Sequence, residues 1–365
     1  MAPPRFWIDH IIRFLDRYPL SPLGATLLGA LSYAHSRALL GASHTLLAHL
    51  RSHRPLAALV GFVAVKAAHR ALSRLTRNSG WEADPPRWSF EEGEGEVVVI
   101  TGGSTGIGKE LVDILAKKTD KIAVLDLAPP TYSATNVKFF KCDVTDAAAI
   151  ADASKQIRAE LGHPTILVNN AGIARGKTIL DTTADEFLLT YKVNVLGSFN
   201  VLREFLPHIV SANHGHIMTM ASSAAYCSVA QLADYNCSKA AALSLHETLT
   251  EELKWRYNAP LVRTSVICPT KVSTQLGAAL EDTDTPFLHP TLTPAWLAGE
   301  MARILDSGLS EHLVTPHMAL LIGRLENMVT YSRNAEKVQA AELISKLDRQ
   351  HGLEAVKRAG EETPQ

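Results

Sequence analysis

Short apolar runs bounded by turn residues recur along the middle of the chain. VVVI at 97–100 and IAVL at 122–125 carry no polar position in either alternate set, as a parallel strand buried on both faces requires. Further strands are predicted at 137–141, 166–168, 217–220 and 312–315. Between the first two, Ile107, Leu111, Ile114 and Leu115 fall at helical spacing and define one apolar helix face. Strand, helix, strand in alternation predicts an α/β fold with a doubly wound parallel sheet.

The front of the chain reads differently and predicts an apolar helical N-terminal segment. Residues 18–36 (YPLSPLGATLLGALSYAHS) hold no charged residue, though Pro19, Pro22, two glycines and His35 interrupt them. Shorter apolar stretches follow at 38–50 and 55–65, flanked by Arg37, Arg51, Arg54, Lys66 and Arg70. A spanning helix needs about 20 strongly apolar residues, which only the first stretch approaches. This pattern points to membrane association, lying in the interface or entering as a hairpin. Packing on the protein's own body or on a partner, and an organellar leader, stay open beside it. Residues 78–95 turn polar and rich in Gly, Pro and Glu, as a linker does. The layout is therefore residues 1–80 as the front segment, 81–95 as linker, 96–316 as the catalytic domain and 317–365 as a helical extension. In that extension Met318, Leu321, Ile322, Leu325, Met328 and Val329 keep helical spacing.

Composition changes this picture in two respects. The formal charge is −1 over 365 residues, so no basic field is available for nucleic acid. That sum hides ten Lys/Arg against two acids in residues 1–80, which suits an anionic headgroup layer. Cys142, Cys227, Cys237 and Cys268 lack CxxC spacing and read as reduced, mostly buried thiols facing the cytosol. The fifteen histidines are scattered, and no metal site is expected.

Chemistry enters at the first strand–helix turn. Gly102, Gly106 and Gly108 allow a backbone to approach a pyrophosphate, and the following helix supplies unpaired N–H groups and a positive dipole end. Asp126 closes the second strand about twenty residues on, where a carboxylate accepts from ribose hydroxyls and repels a 2′-phosphate. NAD is accordingly preferred over NADP. Farther along, Tyr235 and Lys239 stand one helical turn apart on one face, so the cation can favour the phenolate.

TGGSTGIG at 101–108 resembles the TGxxxGxG signature of the short-chain dehydrogenase/reductase family, and later motifs follow in that family's order. They are Asp143-Val144 after the third strand, Asn169-Asn170-Ala171-Gly172 after the fourth, Asn194 in KVNVLGSFN, Ser222 in IMTMASSAAY, Tyr235 to Lys239 as YxxxK, and Pro269 to Thr274 in place of PGxVxT. The resemblance spans about residues 97 to 316 and implies a Rossmann-type sheet. It implies a tetrad of Asn194, Ser222, Tyr235 and Lys239, with Ser222 fixing the substrate oxygen, Tyr235 moving the proton, Lys239 supporting it and Asn194 holding a water relay. It implies cofactor contacts from Gly102, Ser104, Thr105, Gly106, Ile107, Gly108, Asp126, Asp143, Val144, Asn170, Ala171, Gly172, Tyr235, Lys239, Val272 and Thr274. One departure is Thr270, which stands where the family carries glycine.

The residues after Ser222 (Ala224, Ala225, Tyr226, Val229, Ala230) are small or apolar, with Leu276, Leu280, Phe287 and Leu288 as further pocket-wall candidates. They suit a lipophilic alcohol or ketone, and all of them being plain core is the alternative. The front segment, the extension and the NAD-type site together resemble the membrane- and lipid-droplet-associated branch of 17β-hydroxysteroid dehydrogenase 11-like and retinol dehydrogenase-like enzymes. That resemblance implies an endoplasmic reticulum or lipid-droplet surface with the catalytic domain toward the cytosol, and it admits a homodimer. A catalytically quiet member acting as a tether is the alternative function.

Overall fold

The computed structural model describes residues 26–27, 30–34, 54–78, 90, 95–279 and 290–316. The chain divides into two compact units, Pro4–Asp84 and Met1–Pro3 with Pro85–Gln365. In the first unit, helix α1 (Arg54–Arg77) has no acidic residue, and Phe62, Val65 and Leu72 are exposed along one stripe. Among the described residues no helix is long and apolar enough to cross a membrane.

The second unit is built on a seven-stranded sheet: β1 (Val98–Thr101), β2 (Ile122–Asp126), β3 (Val137–Lys141), β4 (Ile166–Asn169), β5 (His216–Met220), β6 (Arg263–Pro269) and β7 (His312–Thr315). Its order is β3-β2-β1-β4-β5-β6-β7 and every neighbouring pair is parallel. Helices α2 (Gly106–Leu115) and α7 (Pro294–Ser307) pack together in one layer. Against the opposite face, α3 (Ala147–Glu160), α5 (Ser198–Ala212) and α6 (Ala233–Trp255) bury Ile150, Ile157, Val201, Phe205, Ile209 and Leu249 on Val99, Leu125, Leu167 and Ile217. Helix α4 (Ala184–Tyr191) opens with a capping box between Thr183 and Glu186 and runs through a π-helical turn, Lys192–Gly197, into α5.

The order reverses between β1 and β4, so the crevice past their C-terminal ends is where a doubly wound sheet binds its ligand. The strands predicted from apolar runs are all present. β6 was hidden from that pattern because it begins Arg263, Thr264, Ser265, yet all seven of its residues are buried. Its polar side chains find partners: Ser265 Oγ meets His216 Nε2 at 2.9 Å and the Glu311 N–H at 2.9 Å, and Thr264 Oγ1 meets Thr250 Oγ1 at 2.9 Å. The apolar pattern at 318–329, Leu280, Phe287 and Leu288, the stretch at 38–50 and the linker at 81–89 lie outside the described residues.

Candidate active site

The glycine turn is shaped by bonds to the end of β4. Thr101 Oγ1 accepts the N–H groups of Asn170 and Ala171 at 3.0 and 3.1 Å. The Asn170 amide donates to the Thr101 and Gly102 carbonyls at 3.1 and 2.9 Å. Gly102 adopts φ +64°, and a Cβ at Gly108 would lie 2.2 Å from the Gly102 carbonyl oxygen, so neither position admits a side chain without moving the backbone. The α2 N-cap, Thr105, is exposed and makes no side-chain cap bond. The leading N–H groups of α2 are thus left without a side-chain cap at the mouth of the crevice, the arrangement that receives an anion.

Past β2 and β3 lies the second group of expected contacts. Asp126 accepts the Ser104 N–H on Oδ2 at 2.9 Å and the Ala128 N–H on Oδ1 at 3.0 Å. Ser104 itself is wholly buried and donates its hydroxyl to the Ala128 carbonyl at 2.8 Å, so it shapes the turn from inside. Asp143 accepts the Thr145 N–H at 2.8 Å, and Val144 is buried against the π-helical turn, where a Cβ on Gly197 would approach it to 2.7 Å.

The third group converges on one cleft lined by Ile107, Asn170, Gly172, Ser222, Tyr235, Lys239, Val272 and Thr274, with Ala224, Val229, Leu232 and Leu276 as apolar wall. Ser222 leaves the end of β5 and donates to the Pro269 carbonyl at 3.3 Å, while it accepts the Ala224 N–H at 3.1 Å. Tyr235 and Lys239 stand on α6, with Nζ 5.5 Å from the phenol ring centre. Lys239 is buried and donates to the Met220 carbonyl at 2.8 Å. Burial pushes the Tyr235 phenol up to about 12, against a hydrogen bond from Ser222 that lowers it. Burial pulls Lys239 down to about 8.

Asn194 sits behind this cleft in the π-helical turn, a device found at functional sites. Its Oδ1 accepts the Ile173 N–H at 2.8 Å, and its amide donates to the Ile173 carbonyl and to Ser238 Oγ, each at 2.9 Å. Both amide donors are spent, so Asn194 braces the strand-end segment against α6, and a water relay would have only the second Oδ1 lone pair and the main chain to use. Of the two readings open for Tyr226, the core one holds: it packs on Ala221, Val266 and Cys268, and its hydroxyl meets His312 Nε2 at 2.5 Å. Of the four thiols, Cys142 and Cys268 are buried, Cys227 is half-buried and Cys237 is exposed, so two rather than most are core. Sequence reasoning missed Thr101, which ties two motifs together, and the Met220 carbonyl, since a backbone acceptor carries no residue-type signal. Among the described residues no cluster of His, Cys, Asp or Glu could hold a metal.

These residues fit a dinucleotide: a turn no Cβ could enter, an uncapped helix start, and a carboxylate at the end of β2. A model of the short chain dehydrogenase family matches residues 96–285. The chain is 40% identical over 208 residues to "Dehydrogenase RED2" of Cochliobolus heterostrophus, covering 56% of this chain and 77% of that protein. It is 35% identical over 218 residues to human estradiol 17-beta-dehydrogenase 11, covering 54% and 72%. The fold matches the aldohexose dehydrogenase of Thermoplasma acidophilum with a TM-score of 0.53 at 23% identity, over 60% of this chain and 92% of that one. The chain belongs to the short chain dehydrogenase family and is an oxidoreductase acting on CH–OH groups, with the nicotinamide cofactor that membership implies. Within the family it lies in the branch of the estradiol 17-beta-dehydrogenase 11 proteins, to which it is similar.

Proposed function

We propose that the protein interconverts a lipophilic alcohol and its ketone or aldehyde with NAD, using Tyr235, Lys239, Ser222 and Asn194. The observation that carries this reading is the meeting of Ser222, Tyr235 and Lys239 in one cleft whose wall is otherwise largely apolar, with Asn170, Ser223, Thr270, Lys271 and Thr274 as its polar members. A nicotinamide held there would supply or accept the hydride. The protein's own part is the proton. With its phenol near 12, Tyr235 rests protonated at neutral pH and is ready to donate to a carbonyl oxygen. Ser222, which shares the cleft with that phenol, orients the same oxygen, and the Lys239 cation favours the phenolate left behind. Asn194 keeps the segment after β4 and Ser238 of α6 in register. Val272 and Thr274 hold the nicotinamide end, Gly106, Ile107, Gly108 and Thr105 the pyrophosphate, and Asp126 and Asp143 the adenosine.

Besides Tyr235 and Lys239 the described wall carries Lys271 as an ionisable group, while Ala224, Val229, Leu232 and Leu276 line it with apolar surface; that surface supports a lipophilic substrate, as does similarity to proteins named estradiol 17-beta-dehydrogenase. Association with an endoplasmic reticulum or lipid-droplet surface, the catalytic domain facing the cytosol, is part of the same reading, supported by the acid-free helix α1 with Phe62, Val65 and Leu72 exposed. One observation bears on assembly: Phe187, Leu188, Tyr191, Leu196 and Phe199 are exposed along α4, the π-helical turn and α5, a face suited to a second copy. The test is NAD(H) turnover by the full-length protein against a panel of steroids, retinoids and long-chain alcohols and ketones. Turnover of lipophilic members above short polar alcohols is expected. Preference for polar sugars or acids, or no turnover with bound cofactor, would overturn the reading, the second in favour of a tether.

A further inference from the structure

The connection between β2 and β3 is ten residues, 127–136, and contains no helix. Parallel strands usually need a dozen or more residues and a helix to cross over. Here the short strap is held down by hydrogen bonds to the elements beside it. Thr131 donates both its N–H and its hydroxyl to the Ser104 carbonyl, at 3.1 and 2.5 Å. Ser133 donates to Asp113 at 3.2 Å, and the Asn136 amide donates to the Ala116 and Thr119 carbonyls at 2.9 and 3.3 Å, closing the end of α2.

The consequence falls on the glycine turn. Ser104 has its N–H on Asp126, its hydroxyl on Ala128 and its carbonyl on Thr131, so every polar group of that residue is engaged. Asp126 in turn is held on both oxygens by backbone N–H groups, which fixes where its remaining lone pairs point. We infer that the strap is a specificity device: Thr131, through Ser104, locks the Asp126 carboxylate as acceptor for a ribose diol, and the Ala128 carbonyl withholds the Ser104 hydroxyl from a 2′-phosphate. Thr131 acts through Ser104 and Asp126 and is a positioning residue. The inference rests on the NAD reading above, and goes beyond the charge of Asp126 by saying what keeps that charge in place.

The test is the dissociation constant of NADH and of NADPH, read by fluorescence of the bound nicotinamide, for the full chain and for Thr131→Val, Thr131→Ser and Ser104→Ala. The unaltered protein is measured first; if it binds NADPH more tightly, the NAD reading itself fails. Given NADH preference, Thr131→Val should weaken NADH about tenfold, the worth of one good hydrogen bond. NADPH binding should stay level or tighten, so the ratio narrows. Thr131→Ser keeps the hydroxyl and should restore the ratio, and Ser104→Ala should narrow it in the same direction. Equal weakening of both cofactors would mean a merely structural role, and an unchanged ratio would mean no role; either overturns the inference. Tyr132→Phe is the control, since the Tyr132 hydroxyl is buried with no partner among the described residues and lies on the same strap. A shift there as large as that of Thr131→Val would remove the assignment from Thr131.

Discussion

The two ends of the cleft treat polar residues in opposite ways. At the β2 end, Ser104 and Asp126 have their hydrogen-bonding groups met by each other and by Ala128 and Thr131 at 2.5 to 3.1 Å. At the α6 end, Lys239 is buried and Tyr235 half-buried in the cleft wall, and desolvation moves the phenol to about 12 and the ammonium to about 8. Satisfied groups give a fixed shape that recognises, and desolvated ones keep a reactivity that fixed shape alone would not supply. The same sheet carries both because its strand ends converge at the reversal between β1 and β4.

If the two ends are separable, changes at one should leave the other intact. The largest effect is expected from Lys239→Met, which keeps the stem and removes the ammonium. Turnover should fall roughly a hundredfold, while the melting temperature holds, because a buried charge is exchanged for an apolar group. Loss of folding alongside loss of rate, seen by thermal denaturation, would show that the lysine is structural. Gly108→Ala attacks the other end. Its Cβ would meet the Gly102 carbonyl at 2.2 Å and the Asn170 amide at 2.7 Å, so the turn must open. NADH affinity should drop at least about tenfold, with kcat at saturating cofactor little changed.

A milder change is Asp126→Ala combined with Leu127→Arg, Leu127 being exposed beside the carboxylate. It removes a repulsion and adds a phosphate partner, and should move the NADPH-to-NADH affinity ratio upward by about tenfold. Titration of both cofactors checks it. The smallest effect at working pH concerns His216 and His246, buried between the strands and α6 and both held down to about 3 by burial. Their folded values lie below the usual 6.5, so the unfolded chain binds the protons first and stability falls as pH drops from about 6.5 toward 3. Each contributes a slope of roughly 1.4 kcal/mol per pH unit in that window. His246→Gln should flatten the dependence of the melting temperature on pH, without altering it at neutral pH.

Much of the fold was legible because its central strands β1, β2 and β4 are apolar on both faces and need nothing but themselves to be recognised. β6 was not, since Arg263, Thr264 and Ser265 are polar in composition and buried in fact, with partners such as His216 and Thr250 far away in sequence. At the site, glycine spacing and the one-turn offset of Tyr235 and Lys239 survive as sequence patterns because local geometry dictates them. The engagement of Ser104, the bracing by Asn194 and the removal of Tyr226 to the core do not. Each depends on where a distant segment comes to rest: Thr131 and Ala128 for the first, Ser238 for the second, His312 for the third.

The separation of the two ends is tested most directly by Tyr235→Phe, with turnover and NADH binding measured on one preparation. The variant loses only the hydroxyl proposed to transfer the proton and keeps the ring that Lys239 faces at 5.5 Å. Turnover should fall by at least about a hundredfold, and the NADH dissociation constant should stay within about twofold. Retained turnover, or affinity lost in step with rate, would contradict the account.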